Sequence, residues 1–243
     1  MESIAVDVNN VTKFFKISKS KGISSLIKEI SVKNKSIKVL DSISFTVNKG
    51  DVLGIIGNNG SGKTTLLRTI AGIYKPDIGS VTINGRLSPL MQIGTGFQEE
   101  MKAKENIMMN GMLLGMSKKE ITNKVDDILK YAELEKFSNM KLRHYSSGMR
   151  ARLAFATAMQ IEPDILLVDE ILSVGDKNFR EKSYQTFMTY KEKKKTILYA
   201  THNFENLSKF CNLALLLNQG KQIMLGKPEE VIDKYNEMTS KRT

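Results

Sequence analysis

The stretch "GNNGSGKTT", Gly57 to Thr65, constrains this chain more than any other. It fits the pattern G-x-x-x-x-G-K-[ST] and lies between an apolar run, "VLGII", and a helical stretch, "GKTTLLRTIAGI", that begins at Gly62. Each position has a physical task. Gly57, Gly60 and Gly62 let the backbone curl and aim N–H groups at a β-phosphate, while Asn58, Asn59, Ser61 and Thr65 complete the loop. Lys63 reaches β- and γ-oxygens, and the Thr64 hydroxyl is a ligand for Mg²⁺. A strand feeding such a loop and a helix leaving it predict an α/β core.

A second acidic device follows in "DILLVDE". Four apolar residues bury a strand, and Asp169 and Glu170 emerge at its carboxyl end, where open α/β sheets place their ligands. Asp169 is placed to hold Mg²⁺ through water. Glu170 is placed as the general base that orients and deprotonates an attacking water. With the phosphate loop, these residues predict hydrolysis of Mg-ATP.

The rest of the pattern supports one interrupted α/β domain. Short β-rich runs at 4–8, 37–47 and 51–57 precede the loop, and "GSVTING" reads as a strand ending in an Asn-Gly turn. From Glu99 to Ile161 the pattern is helical, with a capping box at Ser117 and Glu120. Strands "DILLVDE", "TILYATH", "LALLLNQ" and "KQIMLG" then alternate with helices, the last of which opens at Pro228. Alternation of this kind predicts a mainly parallel sheet. The expected boundaries are a catalytic core at 1–98 and 162–243, a helical insertion at 99–161 and a basic insertion at 16–38.

Charge and composition narrow the partners. The net charge is +11, and residues 16–38 hold seven lysines against one glutamate. Such a segment suits an anionic membrane face or a nucleic acid. Aromatics are sparse in it, so it offers no stacking platform for single strands, and no nucleic-acid partner is expected. Within it Ile23, Leu26, Ile27 and Ile30 share one helical face, which suits a short amphipathic helix on its own domain or beneath a membrane. The longest apolar runs, such as Leu213 to Leu217, fall far short of a bilayer span, and the N-terminus lacks a secretory pattern. Cys211, the single cysteine, reads as a buried small hydrophobe, which fits a cytosolic location.

In their order along the chain, the phosphate loop, Gln98, "YSSGM" at 145–149, "LLVDE", Asp176 and His202 resemble the nucleotide-binding subunits of ABC transporters. The resemblance covers essentially the whole chain. It implies a P-loop NTPase core with an antiparallel β subdomain and an inserted α-helical subdomain. It also implies two subunits facing head to tail, each ATP lying between the phosphate loop of one and the signature motif of the other. Ser146 and Gly148 then serve a γ-phosphate bound to the second copy. Gln98 is the expected ligand of Mg²⁺ or of the attacking water, with Gln92 as a nearby alternative. His202 contacts the γ-phosphate, Asp176 communicates across the dimer, and Phe15, with Phe14 as competitor, stacks on adenine.

Some positions depart from the family pattern. The usual signature is Leu-Ser-Gly-Gly-Gln, so Tyr145, Ser147 and Met149 differ, and Ile171 stands where many members carry proline. His144 reads as a capping or surface residue, and the role of Arg152 is open.

The blend of "YSSGM", "LSVGD" and "LMQIGTGFQEEMKAKENI" is similar to ATPases that export lipid-linked polysaccharides, O-antigen, capsule or teichoic acid. That likeness implies a polytopic membrane permease as partner and a place on the cytoplasmic side of the cell membrane. The chain ends soon after Lys234, so no glycan-reading domain is expected in it. Export of a drug or lipid is the alternative. A soluble member acting on ribosomes or DNA fits less well, because the chain has one phosphate loop and no sustained heptads.

Overall fold

A computed structural model describes residues 3–16, 36–90, 94–169 and 176–240. Gln92, Glu170, Ile171 and the amphipathic stretch at 23–30 therefore lie outside the described residues. In chain order the strands and helices are β1 (Ile4–Lys16), β2 (Ser36–Asn48), β3 (Val52–Ile56), α1 (Lys63–Ile70), β4 (Ile78–Ile83) and β5 (Leu87–Pro89). They continue with α2 (Ala103–Leu113), α3 (Lys118–Ala132), α4 (Ser147–Met159), β6 (Ile165–Asp169), α5 (Lys177–Glu192) and β7 (Thr196–Ala200). The chain closes with α6 (Phe204–Phe210), β8 (Leu213–Asn218), β9 (Lys221–Gly226) and α7 (Pro228–Ser240).

These elements form two compact units. The first is built on Leu53–Asn84 and His202–Thr243 together with Ile4–Val47. Its outer sheet has the order β2-β1-β4, with β1 antiparallel to β4 in the register Val8 to Val81. Here β1 runs on to Lys16, well past the "IAVDV" that its sequence suggests. Beside it β3 lies parallel to β8, and β8 turns back onto β9. Every residue of β3 is buried, as its continuous "VLGII" requires of a strand covered on both faces. Leu66 and Leu67 bury the inner side of α1, and Cys211 is buried.

The second unit is built on Gly85–Thr201. It holds parallel strands β5, β6 and β7, with β6 pairing Leu87 to Ile165 on one side and Asp169 to Ala200 on the other. The three-residue β5 carries too short a pattern to be read from sequence. Helices α2, α3 and α4 share an apolar cluster that includes Ile107, Ile121, Ile128, Leu142 and Leu153. Helix α3 starts at the expected capping box: Ser117 Oγ accepts from the Glu120 N–H at 3.2 Å, and Glu120 Oε2 accepts from the Ser117 N–H at 2.7 Å. Phe155 on α4 meets Phe179 and Phe187 on α5, with ring centroids 5.7 and 5.9 Å apart. That aromatic contact fixes α4 against α5, which matters because both helices begin at candidate site residues.

Candidate nucleotide site

In the first unit the phosphate loop leaves β3 and enters α1. Gly57 has φ +149°, and a Cβ there would run into the Leu217 carbonyl oxygen, so the strand can turn into the loop only with glycine. Gly60 has φ +76° with open space where a side chain would stand. Helix α1 begins after Gly62, at φ +106°, with no side-chain cap and no acid in its first turn. A glycine N-cap and a first turn without an acid suit an anion at the helix start. Lys63 is buried, and its ammonium donates to the carbonyls of Gly57 at 2.7 Å and Asn58 at 3.3 Å. Ser61 Oγ is buried with no hydrogen-bond partner. A buried cation, an orphaned hydroxyl and an uncapped helix start together make a cradle that fits the phosphates of a nucleotide.

Two more expected residues lie in this unit. Phe15, near the end of β1, is half-buried, and its ring meets that of Tyr74 edge-on at 5.1 Å. Phe14 is fastened differently, its N–H donating to Asp77 Oδ2 at 2.7 Å. His202, two residues past the end of β7, is exposed.

The second unit brings Ser146, Gly148, Arg152 and Asp176 together around one open cleft of about 500 Å³. Ser146 is the N-cap of α4, its Oγ accepting from the Met149 N–H at 3.2 Å. A Cβ on Gly148 would meet only Ser146 Oγ, at 3.9 Å, so the cleft floor there is open. Asp176 caps α5, its Oδ1 accepting from the Phe179 N–H at 2.9 Å. That bond, reinforced by the Arg152 guanidinium, holds the Asp176 carboxyl below its ordinary value. Arg152 lies 3.9 Å from Asp176 and 3.4 Å from Glu133, so its open role is at least that of a tie between α4, α3 and the start of α5.

The departures from the family signature have local reasons. Tyr145 is 4% exposed within the helical cluster, and its hydroxyl donates to the Phe137 carbonyl at 2.7 Å. Burial pushes its phenol above the ordinary value. Met149 also packs on that cluster, whereas Ser147 is exposed and lines the cleft. His144 is exposed, and its Nε2 accepts from Arg143 Nε at 3.1 Å.

Gln98 sits exposed on the turn before α2. Asn106, fully buried, fastens that turn, with Nδ2 donating to the carbonyls of Met101 at 3.2 Å and Lys102 at 3.1 Å. The same turn is tied to the segment before α4. The Leu142 and Arg143 N–H groups donate to Met101 and Glu99 carbonyls, and Arg150 and Arg143 pair with Glu99 and Glu100. The sequence reading missed Asn106. Its only signal was a polar residue on the inner side of a largely apolar helix. Asp169 is half-buried at the carboxyl end of β6, paired with Ala200 on parallel β7. Among the described residues no group of three or more acids, histidines or cysteines gathers as a metal cage. A carboxylate is the kind of oxygen donor that Mg²⁺ takes when it travels with a nucleotide.

The chain is similar to several known proteins. The ABC transporter family matches residues 40–173. The O-antigen export system ATP-binding protein RfbB of Myxococcus xanthus is 45% identical over 84% of this chain, which spans about half (47%) of that protein's length. The teichoic acids export ATP-binding protein TagH of Staphylococcus haemolyticus is 37% identical over 97% of this chain and 89% of its own length. Among solved structures, the dimeric post-hydrolysis state of the ATP-binding cassette MJ0796, bound to ADP and Pi, is 25% identical with a TM-score of 0.73 over 92% of this chain and 98% of that one. A family match over more than half of the chain, with a relative similar across nearly all of it, leads to one conclusion: the chain belongs to the ABC transporter family, among its ATPase cassettes.

Proposed function

We propose that this ABC ATPase works as one of two copies arranged head to tail, and drives export of a lipid-linked polysaccharide or polyol phosphate through a separate membrane permease. The observation that supports the reading is that the chain carries two features suited to phosphate, of different design. One is the lysine-bearing loop Gly57–Thr65. The other is the lysine-free cleft at Ser146 and Gly148, which has a helix start, an open glycine and one cation, Arg152, already paired with Glu133 and Asp176. A second copy, presenting its own loop to that cleft, gives both seats a use.

In this reading the loop N–H groups and Lys63 bind the β- and γ-phosphates, Lys63 exchanging the Gly57 and Asn58 carbonyls for phosphate oxygens. Thr64 and Asp169, with Gln98, hold Mg²⁺, which when bound neutralises charge on the phosphate oxygens. Glu170 takes the proton of the attacking water, His202 donates to the γ-phosphate, and Phe15 supports the adenine. Asp176 orders the start of α5 beside the signature of the facing copy. Among the described residues no helix is long and apolar enough to cross a membrane. The likeness to ATP-binding proteins of export systems supports a separate partner for the membrane passage, and the lysine-rich segment at 16–38 is suited to the anionic cytoplasmic membrane face. The kinship with RfbB and TagH supports a glycan or polyol phosphate as cargo.

Mixing Lys63→Ala with Ser146→Arg tests the arrangement. Heterodimers then carry one doubly damaged site and one intact site, so hydrolysis should partly return. A mixture as inactive as either parent, with heterodimers present, overturns the shared-site reading. Copurification with a polytopic membrane protein tests the transport assignment, since a soluble factor has no reason to show it.

A further inference from the structure

Outside the motifs, one side chain reaches into the phosphate loop from a distant part of the chain. Tyr235, in the middle of α7, donates its hydroxyl hydrogen to Asn58 Oδ1 at 2.7 Å. Asn58 holds the loop together in its own right, since its carbonyl accepts from the Ser61 N–H at 3.0 Å and from the Lys63 ammonium at 3.3 Å. The other face of the link is aromatic: the Tyr235 ring meets the Phe204 ring, centroids 5.1 Å apart. Phe204 opens α6, two residues after His202. One tyrosine thus touches the loop that cradles phosphates and the segment that carries the histidine assigned to the γ-phosphate. No signature motif explains this placement.

We propose that Tyr235 is a positioning residue for the phosphate loop, and that through it α7 registers whether the loop is occupied. The inference rests on the assignment of Gly57–Thr65 as the nucleotide seat. When Lys63 leaves the Asn58 carbonyl for phosphate oxygens, Asn58 gives up one tie of its loop. The Tyr235 hydroxyl, attached to the side chain and not the carbonyl, keeps Asn58 in place during that exchange. A change in the loop is felt at α7 by the same bond, and at α6 through the ring of Phe204.

The test uses the full chain with Mg-ATP. Tyr235→Phe removes one hydroxyl and keeps the ring against Phe204. Loss of one neutral hydrogen bond at the seat should raise the ATP KM roughly two- to tenfold while kcat stays within about twofold. Amide hydrogens of α7 should exchange more slowly when Mg-ATP is added to the natural chain, and this nucleotide-dependent slowing should vanish in Tyr235→Phe at saturating ATP. Asn58→Ala should lose the same response, and the double variant should be no worse than the more impaired single, because both remove one bond. An unchanged KM with the α7 response intact in Tyr235→Phe, or fully additive effects in the double variant, overturns the proposal. Should Tyr235→Phe fail to fold, the α7 response of Asn58→Ala decides alone. ATP binding by Lys63→Ala keeps the two ideas apart: normal binding by that variant sinks the nucleotide seat itself, whatever Tyr235 does.

Discussion

Asn106 and Gln98 are joined by a reciprocal pair of hydrogen bonds, Asn106 Oδ1 accepting from the Gln98 N–H at 2.7 Å and Nδ2 donating to the Gln98 carbonyl at 3.0 Å. A buried amide thereby sets the backbone of the residue assigned to the metal and the water. Asn106→Ala leaves these groups without their partner and should lower stability by about 1–3 kcal/mol. Asn106→Asp should be worse at neutral pH, although it keeps the size. Its new carboxylate would face the carbonyls of Gln98, Met101 and Lys102, which burial and dipoles both disfavour. Protonation then removes the conflict, so that variant should gain stability relative to the natural chain as pH falls. Urea midpoints at pH 7 and pH 5 measure both effects.

Tyr145 replaces the leucine of the family signature and points into the helical cluster. Tyr145→Phe removes the bond to the Phe137 carbonyl and should cost about 0.5–1.5 kcal/mol. Hydrolysis per folded molecule should not change, because the hydroxyl faces the Phe137 carbonyl and the cleft is lined by its neighbours. Thermal unfolding beside ATP turnover separates the two outcomes.

These two residues show what the sequence conveys and what it withholds. Gly57 to Thr65, the acid at the end of "ILLVD", the Ser117–Glu120 box and the Pro228 helix start are local patterns, and each is legible because its physics is local. Asn106 and Tyr145 act on turns whose carbonyls carry no sequence mark. Tyr235 and Asn58 lie 177 positions apart, and only the fold makes them neighbours. The extension of β1 to Lys16 was hidden for a related reason: "NNVTKFF" breaks strict alternation where β1 bulges against β4, between Asn9 and Thr12.

The glycines of the phosphate loop should respond differently to the same methyl group. Gly57→Ala meets the Leu217 carbonyl, so the end of β3 must shift and folding should suffer. Gly60→Ala has open space and meets only the cost of a left-handed backbone, on the order of 1 kcal/mol. It should fold with a weakened hold on nucleotide. Circular dichroism melts and ATP binding on the two variants check the contrast.

Glu170 directly follows Asp169, the last residue of β6. Glu170→Gln keeps its size and removes the proposed base, so turnover should fall by roughly 10²- to 10⁴-fold while ATP still binds. ATP should then hold two copies together, visible as a nucleotide-dependent dimer in sedimentation. Near-normal turnover would take Glu170 out of the role.

Asp176 gives a prediction in pH. Its carboxylate accepts the Phe179 N–H at the start of α5 and lies near Arg152, and both favour the charged form, so its folded pKa is below the ordinary 3.8. A group whose folded pKa is depressed adds stability that is complete above its unfolded value and is lost as pH falls through the folded one. The contribution of Asp176 should therefore be constant above about pH 5 and vanish on further acidification. Asp176→Asn keeps an acceptor for the Phe179 N–H and cannot titrate. The variant should be less stable than the natural chain near neutrality, having lost the attraction to Arg152, and the difference should shrink as pH drops below 3.8. Arg152 also pairs with Glu133, which shares Lys182. Arg152→Gln should weaken the acid dependence more in the natural background than once Asp176→Asn is present. Urea midpoints of the four proteins from pH 6 downward give the answer. An equal acid slope in the natural chain and in Asp176→Asn would show that the α5 cap carries no titrating charge.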